Sequence, residues 1–253
     1  MGVHKEAFVY TPAMSEIQPY QVVHLVRKTL GLTAAAVMCF SLGAGWTFAQ
    51  QPPAPVQLFS VTLQNEARLP LTQSSIVTPN VDLQLYGDGK NIIVAVGKGA
   101  NLPRTFFGLC EKPCGFTLRD RNNYFDLRGR ANIKFTTIVS GFHRVRPLIK
   151  LADGTLLIGD QAEGSVADYH QYQISFSECR WLKLDPVRGV TLGGVWVENP
   201  DLTKVDEVGY FDVIPGSGAH TEGLPVEKQP APPAGGWIAV SSFELWGQRV
   251  SRK

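Results

Sequence analysis

The sequence predicts an all-β protein, a sandwich of short antiparallel strands behind an N-terminal signal segment. Three observations lead there. Apolar residues alternate at period two in many short runs, Gly, Pro and Asn punctuate the gaps, and no stretch after residue 49 sustains a helical period over three turns. With 25 Gly and 17 Pro among 253 residues, and only 18% of them charged, the chain is turn-rich and poor in long charged helices.

The first element in chain order is an export segment. Arg27 and Lys28 precede an apolar run from Leu30 to Leu42, and small residues then lead to Thr47-Phe48-Ala49. A basic start, an apolar centre and a small-x-small end make residues 1–49 a signal peptide cleaved after Ala49, with the stretch before Val26 as an extended leading region or Met14 as the true start. The run falls short of the roughly 20 residues that span a bilayer, so membrane contact comes only through an uncleaved segment. Secreted or periplasmic localisation follows. Cys39 lacks the small residue that precedes a lipidated cysteine.

"QQPPAPVQ", residues 50–57, reads as a Pro-rich spacer, and residues 58–253 as one sandwich domain. Its strand candidates are "VDLQLYG", "NIIVAVG", "GFTLRD", "YFDLRG", "ANIKFTTIV", "VRPLIKL", "TLLIGD", "YQISF", "TLGGVWVE", "DEVGYFDVI" and "WIAVSSFELWG". Their regular spacing is that of a sandwich or barrel. Asp153-Gly154 in "LADGTLL" selects a two-residue type I′ hairpin turn, in which both central residues take positive φ. Alternation in the arm before it places Arg144, Arg146, Leu148 and Lys150 on a displayed face. His143, Val145, Pro147, Ile149 and Leu151 take the core face. Pro147 removes a ladder donor, which argues for an edge or a bulge.

Export leaves Cys110, Cys114 and Cys179. In an oxidising compartment Cys110 and Cys114 make the simplest disulfide and Cys179 a buried thiol, while a metal reading lacks a second ligand pair at the right spacing. "PGSGAHTEGLPVEKQPAPPAGG", residues 215–236, is a loop long enough to be functional or disordered. A formal charge of +2 excludes a general nucleic-acid binder, whose affinity rests on phosphate neutralisation.

The succession "YFDLRGRANIKFTTIVSGFHRVRPLIKLADGT", "YHQYQISFSECRWLKL", "DLTKVDEVGYFDV" and "WIAVSSFELWGQRV" resembles the galactose-binding-like jelly-roll β-sandwich. That fold occurs in carbohydrate-binding modules and in the domain named after the complex I intermediate-associated protein. The resemblance covers Val81 to Val250. It implies no cofactor, except that some relatives hold a structural calcium between the N-terminal strand region and the closing strand; Asp82, Asp88 and Glu244 stand at matching positions, while alternation in "SSFELWG" also allows Glu244 simply to face solvent. The platform aromatics common in carbohydrate-binding relatives have no counterpart in the 215–236 insertion before Trp237.

No Gly-x-Ser-x-Gly, histidine-rich metal motif or phosphate loop is present. The reading is a non-catalytic module whose partner is a glycan or another cell-envelope component. Its ligand-binding candidates are Arg144, Arg146, Lys150, Tyr169, His170 and Trp181, with Trp196 nearby: cations to pair with carboxylates and rings to stack on sugars. A basic strand face also simply discourages edge-to-edge aggregation. Two alternatives stand. Tyr169, His170, Tyr172, Arg144 and Arg146 are the side-chain types of a polysaccharide lyase acting on acidic glycans. An assembly or scaffold role follows from the resemblance.

Overall fold

The computed structural model describes residues 53–61, 63, 69–96, 103–164, 166–185, 187–188, 190–214 and 236–253. They belong to the compact unit Ala49–Lys253. The segment read as a signal peptide, the first part of the stretch read as a spacer, and residues 215–235 of the stretch read as a long loop lie outside the described residues.

The strands run in chain order as β1 (Val56–Ser60), β2 (Leu69–Pro70), β3 (Val81–Gly87), β4 (Ile93–Val96) and β5 (Pro103–Phe106). Next come β6 (Cys114–Asp120), β7 (Asn123–Asp126), β8 (Asn132–Val139), β9 (Arg146–Leu151) and β10 (Leu156–Gly159). The last are β11 (Val166–Ser175), β12 (Trp181–Asp185), β13 (Val190–Val197), β14 (Val205–Asp212) and β15 (Ile238–Ser251). β1 begins inside the segment read as spacer, so that segment joins the fold at Val56. "WLKLD" forms β12, a strand the alternation alone does not single out, and "DYHQY" lies within β11 rather than before it.

All pairings are antiparallel and build two layers, as the sequence predicts for a jelly-roll sandwich. One layer joins β11 to β8, β8 to β15, and β15 to β1 and β5. The other runs β13-β12-β10-β9-β14-β6-β3. β15 belongs to both: Ile238 to Trp246 pair with β8, and Gln248 to Ser251 pair with β7, which lies beside β14. A strand that changes layer at a bend is how a sandwich makes a corner.

Alternation packs the layers together. Ile133, Phe135, Thr137 and Val139 of β8 point inward, and across the gap Tyr210 of β14 meets Phe135 at 5.0 Å and Phe243 of β15 at 4.9 Å between ring centroids. Each such ring removed from water contributes roughly 1.5–3 kcal/mol. The Tyr210 hydroxyl sits in this core with no hydrogen-bond partner among the described residues, and burial pushes its pKa well above the ordinary tyrosine range. Cys110 and Cys114 form the predicted disulfide, and Cys179 is a buried free thiol.

Leu148 departs from the expected displayed face. It is fully buried with Leu156, Ile158, Leu184 and Phe211, a second apolar cluster on the opposite side of the β9 layer from the main core. Period two correctly separates Leu148 from Ile149. It cannot say that both sides of this layer are apolar.

The hairpin forms with a different turn. The Leu151 N–H donates to the Thr155 carbonyl (2.9 Å), so three residues, Ala152, Asp153 and Gly154, lie inside the closing pair of the hairpin. Gly154 has φ +89°, whereas Asp153 is not among the positive-φ residues. A type I′ turn needs both, so this is the three-residue hairpin with glycine at its left-handed position. Asp153 Oδ1 accepts the Thr155 N–H at 2.8 Å, which explains the aspartate.

Candidate functional site

Two of the three basic side chains of this stretch, Lys150 and Arg146, are engaged within the fold. Lys150 Nζ donates to Glu207 Oε1 at 2.9 Å, and Glu207, only 2% exposed, also accepts from Tyr86 Oη at 2.6 Å and Thr117 Oγ1 at 2.5 Å. Burial and the adjacent Glu207 carboxylate raise the Tyr86 pKa far above its usual value, so its hydroxyl stays a donor. Arg146 Nη1 donates to the carbonyls of Gly159 and Asp160, both at 3.2 Å. Burial, reinforced by the neighbouring Arg144 charge, lowers its pKa from the normal arginine value. Arg144 is exposed beside Gly164.

The β11 candidates have partners too. Arg104 Nη1 donates to the Tyr169 hydroxyl at 2.6 Å, and burial raises the tyrosine pKa against the opposing effect of Arg104. His170 Nε2 lies 3.6 Å from Glu163 Oε2, and Glu163 pairs through its backbone with Val145. Arg144 and His170 therefore border the same Glu163 to Gly164 segment, while Arg146 and Tyr169 are each tied to other groups.

The calcium candidates are not brought together. Asp82 is ion-paired to Arg121 at 2.7 Å, Asp88 Oδ2 accepts from the Glu111 N–H and Asn91 Nδ2, and Glu244 Oε2 accepts from Trp246 Nε1. Among the described residues no group of three or more His, Cys, Asp or Glu is placed to hold a metal ion.

Trp181 is 2% exposed and stacks on Phe176 at 6.4 Å between centroids. Beside it, where β12 meets the end of β13, lies an open cleft of about 620 Å³, a size typical of small-molecule sites. Trp196 borders it with 44% of its surface exposed. The Arg180 guanidinium lies over its ring, 4.4 Å from the centroid. Asp160 fixes the arginine: Oδ2 accepts from Nε and Oδ1 from the backbone N–H, both at 2.8 Å. Burial disfavours ionisation of Asp160, but these two bonds outweigh it and hold the carboxyl below its ordinary range. The two terminal nitrogens of Arg180 take no partner among the described residues. Glu198 and Asn199 follow Trp196 and Val197 at the lip of the cleft, both exposed, and neither side chain bonds a described residue. Asn199 has φ +52°, a left-handed conformation that asparagine tolerates better than most residues. Cys179 also lines the cleft, its thiol pushed up to about 12 by burial, so it is neutral and unreactive near pH 7.

Arg180, Glu198 and Asn199 are absent from the sequence-derived candidates. The Asn-Pro pair in "WVENPD" was the one local signal, since it marks a turn directly after an aromatic strand.

No family model and no curated protein matches the chain. Among solved structures it is similar to the family 11 carbohydrate-binding module from Clostridium thermocellum in complex with a β-1,3-1,4-mixed-linked tetrasaccharide. Identity there is 13%, coverage 76% of this chain and 96% of that one, and the TM-score 0.37. It is also similar to a variant of a family 29 carbohydrate-binding module complexed with cellulohexaose, at 12% identity, 76% and 92% coverage, and a TM-score of 0.37. The likeness is one of fold.

Proposed function

We propose that the protein is an exported, non-catalytic carbohydrate-binding module whose ligand occupies the cleft between β12 and the end of β13. The observation that carries this reading is the half-exposed indole of Trp196 among three planar polar groups, those of Arg180, Glu198 and Asn199, that have bonding capacity to offer. A pyranose presents an apolar C–H face and an edge of hydroxyls. An indole matches the first, and guanidinium, carboxylate and amide groups match the second.

Binding without reaction fits the same residues. Glu198 is the only carboxylate among the described lining residues, and no histidine accompanies it, whereas glycoside hydrolysis ordinarily needs a carboxyl pair. The lyase alternative has less support, because Tyr169, His170 and Arg146 each face another protein group. Export is supported by the Cys110–Cys114 disulfide, which persists in oxidising compartments.

A glycan array followed by calorimetry on the best hit tests the proposal. The wild-type protein binds at least one glycan, and Trp196→Ala weakens that binding roughly tenfold or more with an unchanged melting temperature. Absence of binding to every glycan on the array overturns it.

A further inference from the structure

We infer that Glu198 is a charge filter, so that the cleft accepts uncharged pyranosides through adjacent hydroxyls and rejects uronate-bearing ones. This rests on the carbohydrate-binding reading above.

Two of the three basic side chains that suggest an acidic polymer are in use, Lys150 paired with Glu207 and Arg146 held on two carbonyls, and the third, Arg144, is exposed beside Gly164 and is not among the residues lining the cleft. At the cleft itself the positive charge of Arg180 is matched by Asp160 at 2.8 Å. Glu198 has no cationic partner among the described residues, so the cleft as described carries one uncompensated negative charge. A carboxylate or sulfate on the ligand meets repulsion there, and like charges about 4 Å apart are unfavourable even at high effective dielectric.

The same groups favour a diol. Arg180 is pre-oriented by two Asp160 bonds and by stacking on Trp196, which leaves its terminal N–H groups side by side as donors. Glu198 supplies two acceptor oxygens and Asn199 one donor and one acceptor group. Adjacent hydroxyls on one sugar edge can each donate to the carboxylate and accept from the guanidinium. A uronate offers acceptors alone at its carboxylate, and Glu198 has nothing to donate to it.

The experiment uses the full protein with three probes, cellohexaose, mannohexaose and oligogalacturonate, titrated by calorimetry at two salt concentrations. The wild type is expected to bind a neutral hexaose at least about tenfold more tightly than oligogalacturonate. Glu198→Gln, which keeps the size and removes the charge, is expected to narrow that ratio several-fold, and Trp196→Ala to weaken neutral binding. Salt is expected to improve oligogalacturonate binding to the wild type but not to Glu198→Gln, since screening acts on the repulsion. Oligogalacturonate binding as tight as neutral binding, or a ratio unchanged in Glu198→Gln, overturns the filter while leaving the carbohydrate reading intact. No binding of any glycan removes the carbohydrate reading and the filter with it.

Discussion

Two polar regions of the β9 to β13 layer differ in what their charges already do. On β9 and β14, Lys150, Glu207, Tyr86 and Thr117 satisfy one another, with Glu207 almost wholly buried. At the β12–β13 cleft, Glu198, Asn199 and the terminal nitrogens of Arg180 are exposed with bonding capacity to spare. A satisfied buried network stabilises one structure, whereas exposed groups without protein partners are open to water or a ligand. A basic stretch in sequence therefore does not locate a binding surface until its partners are known.

The buried network should show the largest effect: Glu207→Ala removes the acceptor of three groups and should cost about 3–5 kcal/mol in denaturant unfolding. A loss under about 1 kcal/mol would place the network at the solvated surface. Lys150→Met keeps the stem but leaves Glu207 short of its cation and should cost about 1–3 kcal/mol by the same measurement. Gly154→Ala forces a side chain into φ +89° with no atom within 4 Å of the new Cβ, so backbone strain alone acts and about 1 kcal/mol is expected.

The smallest effect on stability belongs to the cleft. Arg180→Ala should change unfolding by no more than about 0.5 kcal/mol, because the pair is exposed, while weakening glycan binding. Acid sharpens the contrast. The Asp160 pKa is depressed on folding, so its contribution is fully present above the ordinary aspartate value and is lost as pH falls through the lower, folded one. Glycan affinity should respond to Asp160 only below about pH 4, as Arg180 loses its anchor, and this response should vanish in Asp160→Asn.

Much of the fold was legible in local pattern. Strand alternation, the Asp-Gly hairpin and the Cys110–Cys114 pair each depend on residues only a few positions apart. The turn type was not legible, because Asp153 caps Thr155 in a three-residue loop that uses the same two residues as the two-residue one. Leu148 was misplaced because alternation assigns a side chain to a face without revealing whether that face is wet. Trp181 belonged with the candidates as an aromatic residue, yet it packs on Phe176, and Trp196 takes the exposed position at the cleft.

By itself, the sequence determined an antiparallel β protein with a closed Cys110–Cys114 loop and a hairpin at Gly154, since period, turn chemistry and short loop closure act over neighbouring residues. Only the tertiary structure decided which charges are in use. Glu207 reaches Lys150 across 57 positions and Asp160 reaches Arg180 across 20, and such pairings arise from strand order, which no local pattern contains. That is why Lys150 and Arg146 are held within the fold, while the cleft at Trp196 keeps polar groups without partners among the described residues.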